Sequence, residues 1–172
     1  TSPASGITVS LSGCDAKIDP HSMAIEPTSG RSQYIRSRNE AGDWFGSDNS
    51  RPMFHYPIDE RCVRRVPALS FASNQQQMFI PPVAPPIYPA SHTSDRFNDL
   101  FAENRFTSAC SAIVFRSPHL GTHRHESAFI CEPVHNLVHN ATLVRNGSSF
   151  AAVRFNDQLE SEFLTSTDPY FR

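Results

Sequence analysis

The chain has 172 residues, long enough for one domain with a sizeable core. Its formal net charge is −2 with no long basic run, which excludes non-specific nucleic-acid binding, and no apolar run is long enough to span a membrane. Proline (14) and phenylalanine (13) are abundant and Lys17 is the only lysine, a mix that predicts long ordered loops pinned by aromatic and proline contacts.

Taken in order, residues 1–52 read as loop-rich, with one short alternating strand at Ile7 to Leu11 and turn material at Asp19-Pro20, Pro27 to Gly30 and Ser47 to Ser50. Trp44-Phe45 is the strongly apolar pair of this stretch and is expected to pin it onto a core. The prolines at 81, 82, 85, 86 and 89 exclude a helix and predict an extended connector. Ser94 can cap a helix, and Phe97, Leu100 and Phe101 follow at helical spacing, so a short amphipathic helix is expected from Ser94 to Asn104. Ala112 to Phe115 is a buried strand or a helical turn, and Pro118 to His125 is a loop carrying His119, His123 and His125.

The run Glu132-Pro133-Val134-His135-Asn136-Leu137-Val138-His139 follows. Pro133 suits a first helical turn, Glu132 suits the positive end of the helix dipole, and Val134, Leu137 and Val138 supply an apolar face. A helix from Pro133 to about Thr142 would place His135 and His139 one turn apart on one face, where two ring nitrogens can share a metal ion. Gly147, with Asn146 before it, would stop that helix. Residues 148–164 read as a loop or short helical segment packed on a core, and Asp168-Pro169 as a turn or helix start.

Four cysteines, Cys14, Cys62, Cys110 and Cys131, are even in number and form no close pair, which fits two disulfides in an oxidising compartment; their pairing is open among three possibilities. The sequons at Asn140 and Asn146 point to the same secreted or lumenal setting. The start at Thr1 without Met suggests a processed or excised piece.

Glu132-Pro-Val-His135-Asn-Leu-Val-His139, with Thr167-Asp-Pro-Tyr-Phe171 downstream and Phe115-Arg116 upstream, resembles the second copper-binding half of tyrosinases and related type-3 copper oxidases. The resemblance covers roughly the last third of the chain. It implies a mainly α fold with extensive irregular loops, part of a four-helix copper core under a loop-rich outer layer. Residues 1–93 would then be a loop-rich, proline-rich connecting segment. Residues 94–172 would be a helical segment with an incomplete second copper motif. His135 and His139 would be two copper ligands. Asn136 and Glu132 would be the catalytic partners that orient a water. Asp168, Pro169 and Phe171 would form the turn before the helix that brings the third histidine, which this sequence lacks.

The function implied is that of a fragment of a phenol or o-diphenol oxidase. It would hold at most one partial copper site of the two in the complete protein, act on a phenolic substrate with O2, and be completed by the rest of the polypeptide or a companion chain. The isolated piece would be inactive. Two other readings stand beside it: a secreted, disulfide-stabilised binding or structural protein without catalysis, and a mononuclear site built from His123, His125, His135 and His139.

Overall fold

The computed structural model describes residues 6, 8–11, 13–28, 30–66, 68, 73–79, 85–91, 105–168 and 170–171. Strands β1 (Asp15–Ile18) and β2 (Ile25–Thr28) form a separate hairpin. A second sheet has the order β3-β4-β5-β6, from β3 (Arg36–Arg38), β4 (Trp44–Gly46), β5 (Phe54–Tyr56) and β6 (Gln76–Gln77). Between β5 and β6 lies α1 (Glu60–Arg65), the one α-helix among the described residues. The third sheet is a meander of β7 (Cys110–Phe115), β8 (Ser127–Glu132), β9 (Leu137–Asn146) and β10 (Ser149–Arg154), and β11 (Leu164–Thr165) pairs with the start of β9. All the pairings are antiparallel.

These residues form strands for local reasons. Along β7, Ala112 and Val114 are buried while Ser111 and Ile113 are exposed, the period-2 pattern of a half-buried strand. Strand β8 is apolar almost throughout, and Ala128, Phe129 and Ile130 are all buried, as expected of a strand covered on both faces. The β9–β10 reversal is a two-residue turn between the paired Asn146 and Ser149; Gly147 takes its first position at φ 60, where glycine is favoured.

One core joins the two larger sheets. Phe45 of β4 meets Phe150 of β10 at 5.3 Å between ring centroids, and His55 of β5 packs on both rings. Met53, Met78, Ile87, Ile130 and Leu137 extend this cluster. Burying a side chain of this size contributes about 1.5–3 kcal/mol. Phe45 is thus the anchor expected of the Trp44-Phe45 pair, whereas Trp44 is 41% exposed and lines an open cleft of about 670 Å³ with Arg36 and Arg38.

The expectation of a mainly α fold is overturned. Strands dominate, and no described helix reaches seven residues. A four-helix copper core is therefore not the architecture around these histidines. The helix expected from Pro133 to Thr142 is instead a turn over 133–136 followed by β9. Asn136 sits at φ 54, a left-handed value that interrupts any helix, and Leu137 to Thr142 pair residue by residue with β8. Asn146-Gly147 makes a hairpin turn rather than a helix stop, and residues 148–164 carry β10 and a short 3-10 turn (Asn156–Gln158). Of the two alternatives at 112–115, the strand is the one found. Residues 8–11 carry no strand, and the first strand among the described residues begins at Asp15. The helix expected from Ser94 to Asn104 lies outside the described residues.

Candidate functional site

The turn between β8 and β9 is where the sequence motif falls. It closes through the His135 N–H on the Glu132 carbonyl (3.2 Å) and the Asn136 N–H on the Pro133 carbonyl (3.4 Å). Glu132 ends β8, His135 sits in the turn and His139 lies in β9; all three are at or below 1% exposure.

Each imidazole is held by a carboxylate at Nδ1. His139 Nδ1 lies 2.8 Å from Glu162 Oε2, and His135 Nδ1 lies 3.4 Å from Glu132 Oε1. Both carboxylates are crowded with donors. Glu132 accepts from the Ser108 hydroxyl (2.7 Å), the Ser108 N–H (2.9 Å), the Thr107 N–H (3.0 Å) and the Thr107 hydroxyl (3.3 Å). Glu162 accepts from the Arg154 guanidinium (2.8 Å) and the Tyr88 N–H (3.0 Å). Phe106, next to Thr107, packs its ring on His139 at 5.5 Å, and Phe79 does so at 5.8 Å, so residues 106–108 touch both pairs.

The titration directions agree with this geometry. Burial raises the Glu132 carboxyl, but hydrogen bonds from His135, Ser108 and Thr107 outweigh it and leave the pKa lowered. For Glu162, burial is likewise outweighed by His139 and Arg154. Burial lowers His139 despite the opposing pull of Glu162, which keeps the ring neutral. An ionised carboxylate only accepts, so the hydrogen-bond network places a proton on Nδ1 of each ring, and the neutral form of either ring then carries its lone pair on Nε2. Both Nε2 atoms are buried and have no hydrogen-bond partner among the described residues. An orphaned buried acceptor costs about 1–3 kcal/mol, and two of them in one short motif call for an occupant.

A pH dependence follows for the metal-free chain. His139 and His55 are both lowered, chiefly by burial. Their contribution is fully present above the unfolded imidazole value of 6.5 and is lost as pH falls below it, because the unfolded chain then binds more protons. Glu132 and Glu162 add stability above their unfolded value of 4.5 that disappears as pH falls through their depressed folded values. The urea midpoint is expected to be level from pH 8 to 7 and to fall steadily from pH 6.5 downward; a midpoint unchanged between pH 7 and 5 would contradict the assignment.

The other candidate residues fall as follows. Asn136 spends its amide on structure: its oxygen accepts from Ser91 and its nitrogen donates to the Phe171 carbonyl. Asp168 forms the expected turn, accepting from Tyr170, while Pro169 lies outside the described residues. His123 is exposed and His125 meets Glu40 at 3.2 Å. Among the described residues no three metal-ligating side chains come together, so the four-histidine mononuclear set is not assembled. Asn140 is fully buried and bonded to Arg124, Ser127 and Ala128, so the folded chain has no room for a glycan there, whereas Asn146 is exposed at the end of β9. All four cysteines are free thiols, and Cys110 opposes Cys131 across β7 and β8. No described helix is long and apolar enough to cross a membrane.

Two features escaped the sequence. Glu162 is one; nothing local separates it from the exposed Glu160 two residues before. His55 is the other. It lies between the larger sheets, 3.0 Å from the Ser149 hydroxyl and 3.8 Å from Asp43. Its ring is sealed between Phe45 and Phe150, so this grouping is a buried polar clamp rather than a reactive serine centre.

Fold and site together define an antiparallel β-domain with two buried imidazole–carboxylate pairs at the β8–β9 turn. The chain belongs to a family described as a domain of unknown function (DUF7133), whose profile matches residues 2–172. No curated protein and no solved structure matches it.

Proposed function

We propose that this chain is a metal-binding β-module and that His135 and His139 are ligands through Nε2. The observation that carries the reading is the pair of orphaned, buried Nε2 atoms whose ring partners, the Nδ1 atoms, are oriented by Glu132 and Glu162. A ligating histidine commonly donates its other ring N–H to a carboxylate, which fixes the tautomer and raises the basicity of the ligating nitrogen. Neutral imidazole suits copper and zinc, and copper is the first metal to test. Such a metal supplies Lewis acidity or, for copper, electron transfer. No third ligating side chain joins them among the described residues.

The residues do not fit the paired-copper centre of a phenol oxidase. Its four-helix frame is replaced by strands, and Asn136 is committed to Ser91 and Phe171. Oxidation of phenols with O2 therefore has no support in this geometry. A binding or structural role without catalysis is the second reading; the saturation of Glu132 by Thr107 and Ser108 favours it, because these bonds tie loop to sheet. A secreted or lumenal setting accompanies either reading, supported by the exposed sequon at Asn146.

Equilibrium dialysis against copper tests the proposal. The wild-type chain should retain about one copper ion more than His135→Gln and His139→Gln, all held with their cysteines alkylated. Equal copper in folded wild type and variants would refute the ligand assignment and leave the structural reading.

A further inference from the structure

The four cysteines allow three pairings, and the structure selects among them. Cys110 and Cys131 are directly opposed in the β7–β8 register. Opposed residues of an antiparallel pair have Cα atoms about 4.5 or 5.5 Å apart, and both values lie within the roughly 4.4–6.8 Å that a disulfide spans. The register shifts immediately after Cys110, where Ser111 adopts φ 52, so this edge of the sheet is irregular and has room to adjust. Both thiols are half-buried, within reach of a small reagent. Burial raises both thiol pKa values, and each thiol feels the other or the Glu132 carboxylate, which makes them slow rather than inert. Cys62 is exposed on α1, and Cys14 precedes the β1–β2 hairpin; neither belongs to the sheet that carries the opposed pair.

We propose that Cys110 and Cys131 are a redox-active pair that closes into one cross-strand disulfide, while Cys14 and Cys62 remain thiols. The bond would lie beside the candidate site. Cys131 adjoins Glu132, and Ser108, two residues before Cys110, donates to Glu132 through both its N–H and its hydroxyl. Closure therefore fastens together the two segments that hold the carboxylate on His135. The oxidant is a small-molecule disulfide such as oxidised glutathione. One protein thiolate attacks it, forming a mixed disulfide and releasing one reduced thiol. The second protein thiolate then displaces the other. Two protein thiols lose two electrons and two protons, and one disulfide becomes two thiols.

The native chain, equilibrated with one equivalent of oxidised glutathione, should fall from four titratable protein thiols to two. Peptide mapping should find Cys110 linked to Cys131, with Cys14 and Cys62 alkylated. A Cys14→Ser, Cys62→Ser double variant should oxidise identically, and reducing either form should lower Tm by about 5–10 °C. Four thiols remaining, a mixed disulfide that persists on Cys110 or Cys131, or a link that includes Cys14 or Cys62 would each overturn the proposal. The outcome is independent of metal binding.

Discussion

Glu162→Ala is expected to lower the folding free energy by about 3–5 kcal/mol, the range found when one partner of a buried ion pair is removed. The Glu162 side chain is fully buried, and it holds three groups from three places: the His139 ring, the Arg154 guanidinium and the Tyr88 N–H. Its loss leaves the guanidinium, itself only 10% exposed, as an uncompensated buried charge. It also removes one tie on residues 85–91, which remain held by the Ala90 N–H on the Thr165 hydroxyl and the Ser91 hydroxyl on Asn136. Glu162→Gln keeps the volume but removes the charge, and should fall between wild type and Ala. Urea unfolding measures both. A Glu162→Ala loss below about 1 kcal/mol, the worth of an exposed pair, would show that the carboxylate is not the hub described.

Glu132→Ala is expected to cost about 3 kcal/mol or more through a different mechanism. Here the partners are mostly neutral donors of residues 107 and 108, together with the His135 ring. Removing the acceptor strands two backbone N–H groups, each costing about 1–3 kcal/mol when buried without a partner. Glu132→Gln should recover only part, because its amide nitrogen would face donors rather than accept from them. The Ser108→Ala, Glu132→Ala pair should be strongly non-additive, because both substitutions break the same contact. Additive losses in that double-mutant cycle would contradict a shared network.

Both hubs bear on what the sequence disclosed. The sequence singles out Glu132, His135 and His139 together, but Glu132 as a helix-dipole residue and water partner and the histidines as two copper ligands; the direct contact of Glu132 with His135 is not legible in it. The anchor at Phe45, the strand alternative at 112–115 and the Asp168 turn were legible for local reasons. The fold class was not. His135 and His139 at i, i+4 fit one face of a helix, but Leu137, His139 and Ala141 fit a period of two equally well. The choice is made by pairing with β8, through contacts such as His139 with Ile130, and by the left-handed Asn136. Neither is written in the spacing. Glu162 was illegible for the same reason: its partners lie 8, 23 and 74 residues away. The resemblance to copper oxidases drew on the run from Glu132 to His139 together with Thr167 to Phe171 and Phe115-Arg116, and the Glu132–His139 run turns out to be compatible with a strand–turn–strand.

Long-range ¹H–¹⁵N NMR of the histidine rings tests the central claim most directly, with Zn(II) as a diamagnetic probe and the cysteines alkylated. In the metal-free chain, His135 and His139 should both carry the proton on Nδ1 and show Nε2 at the shift of an unprotonated nitrogen. On addition of Zn(II), both Nε2 resonances should move together while the Nδ1 protons stay in place. Nε2-protonated rings, or two Nε2 resonances that ignore the metal while the fold persists, would contradict the account.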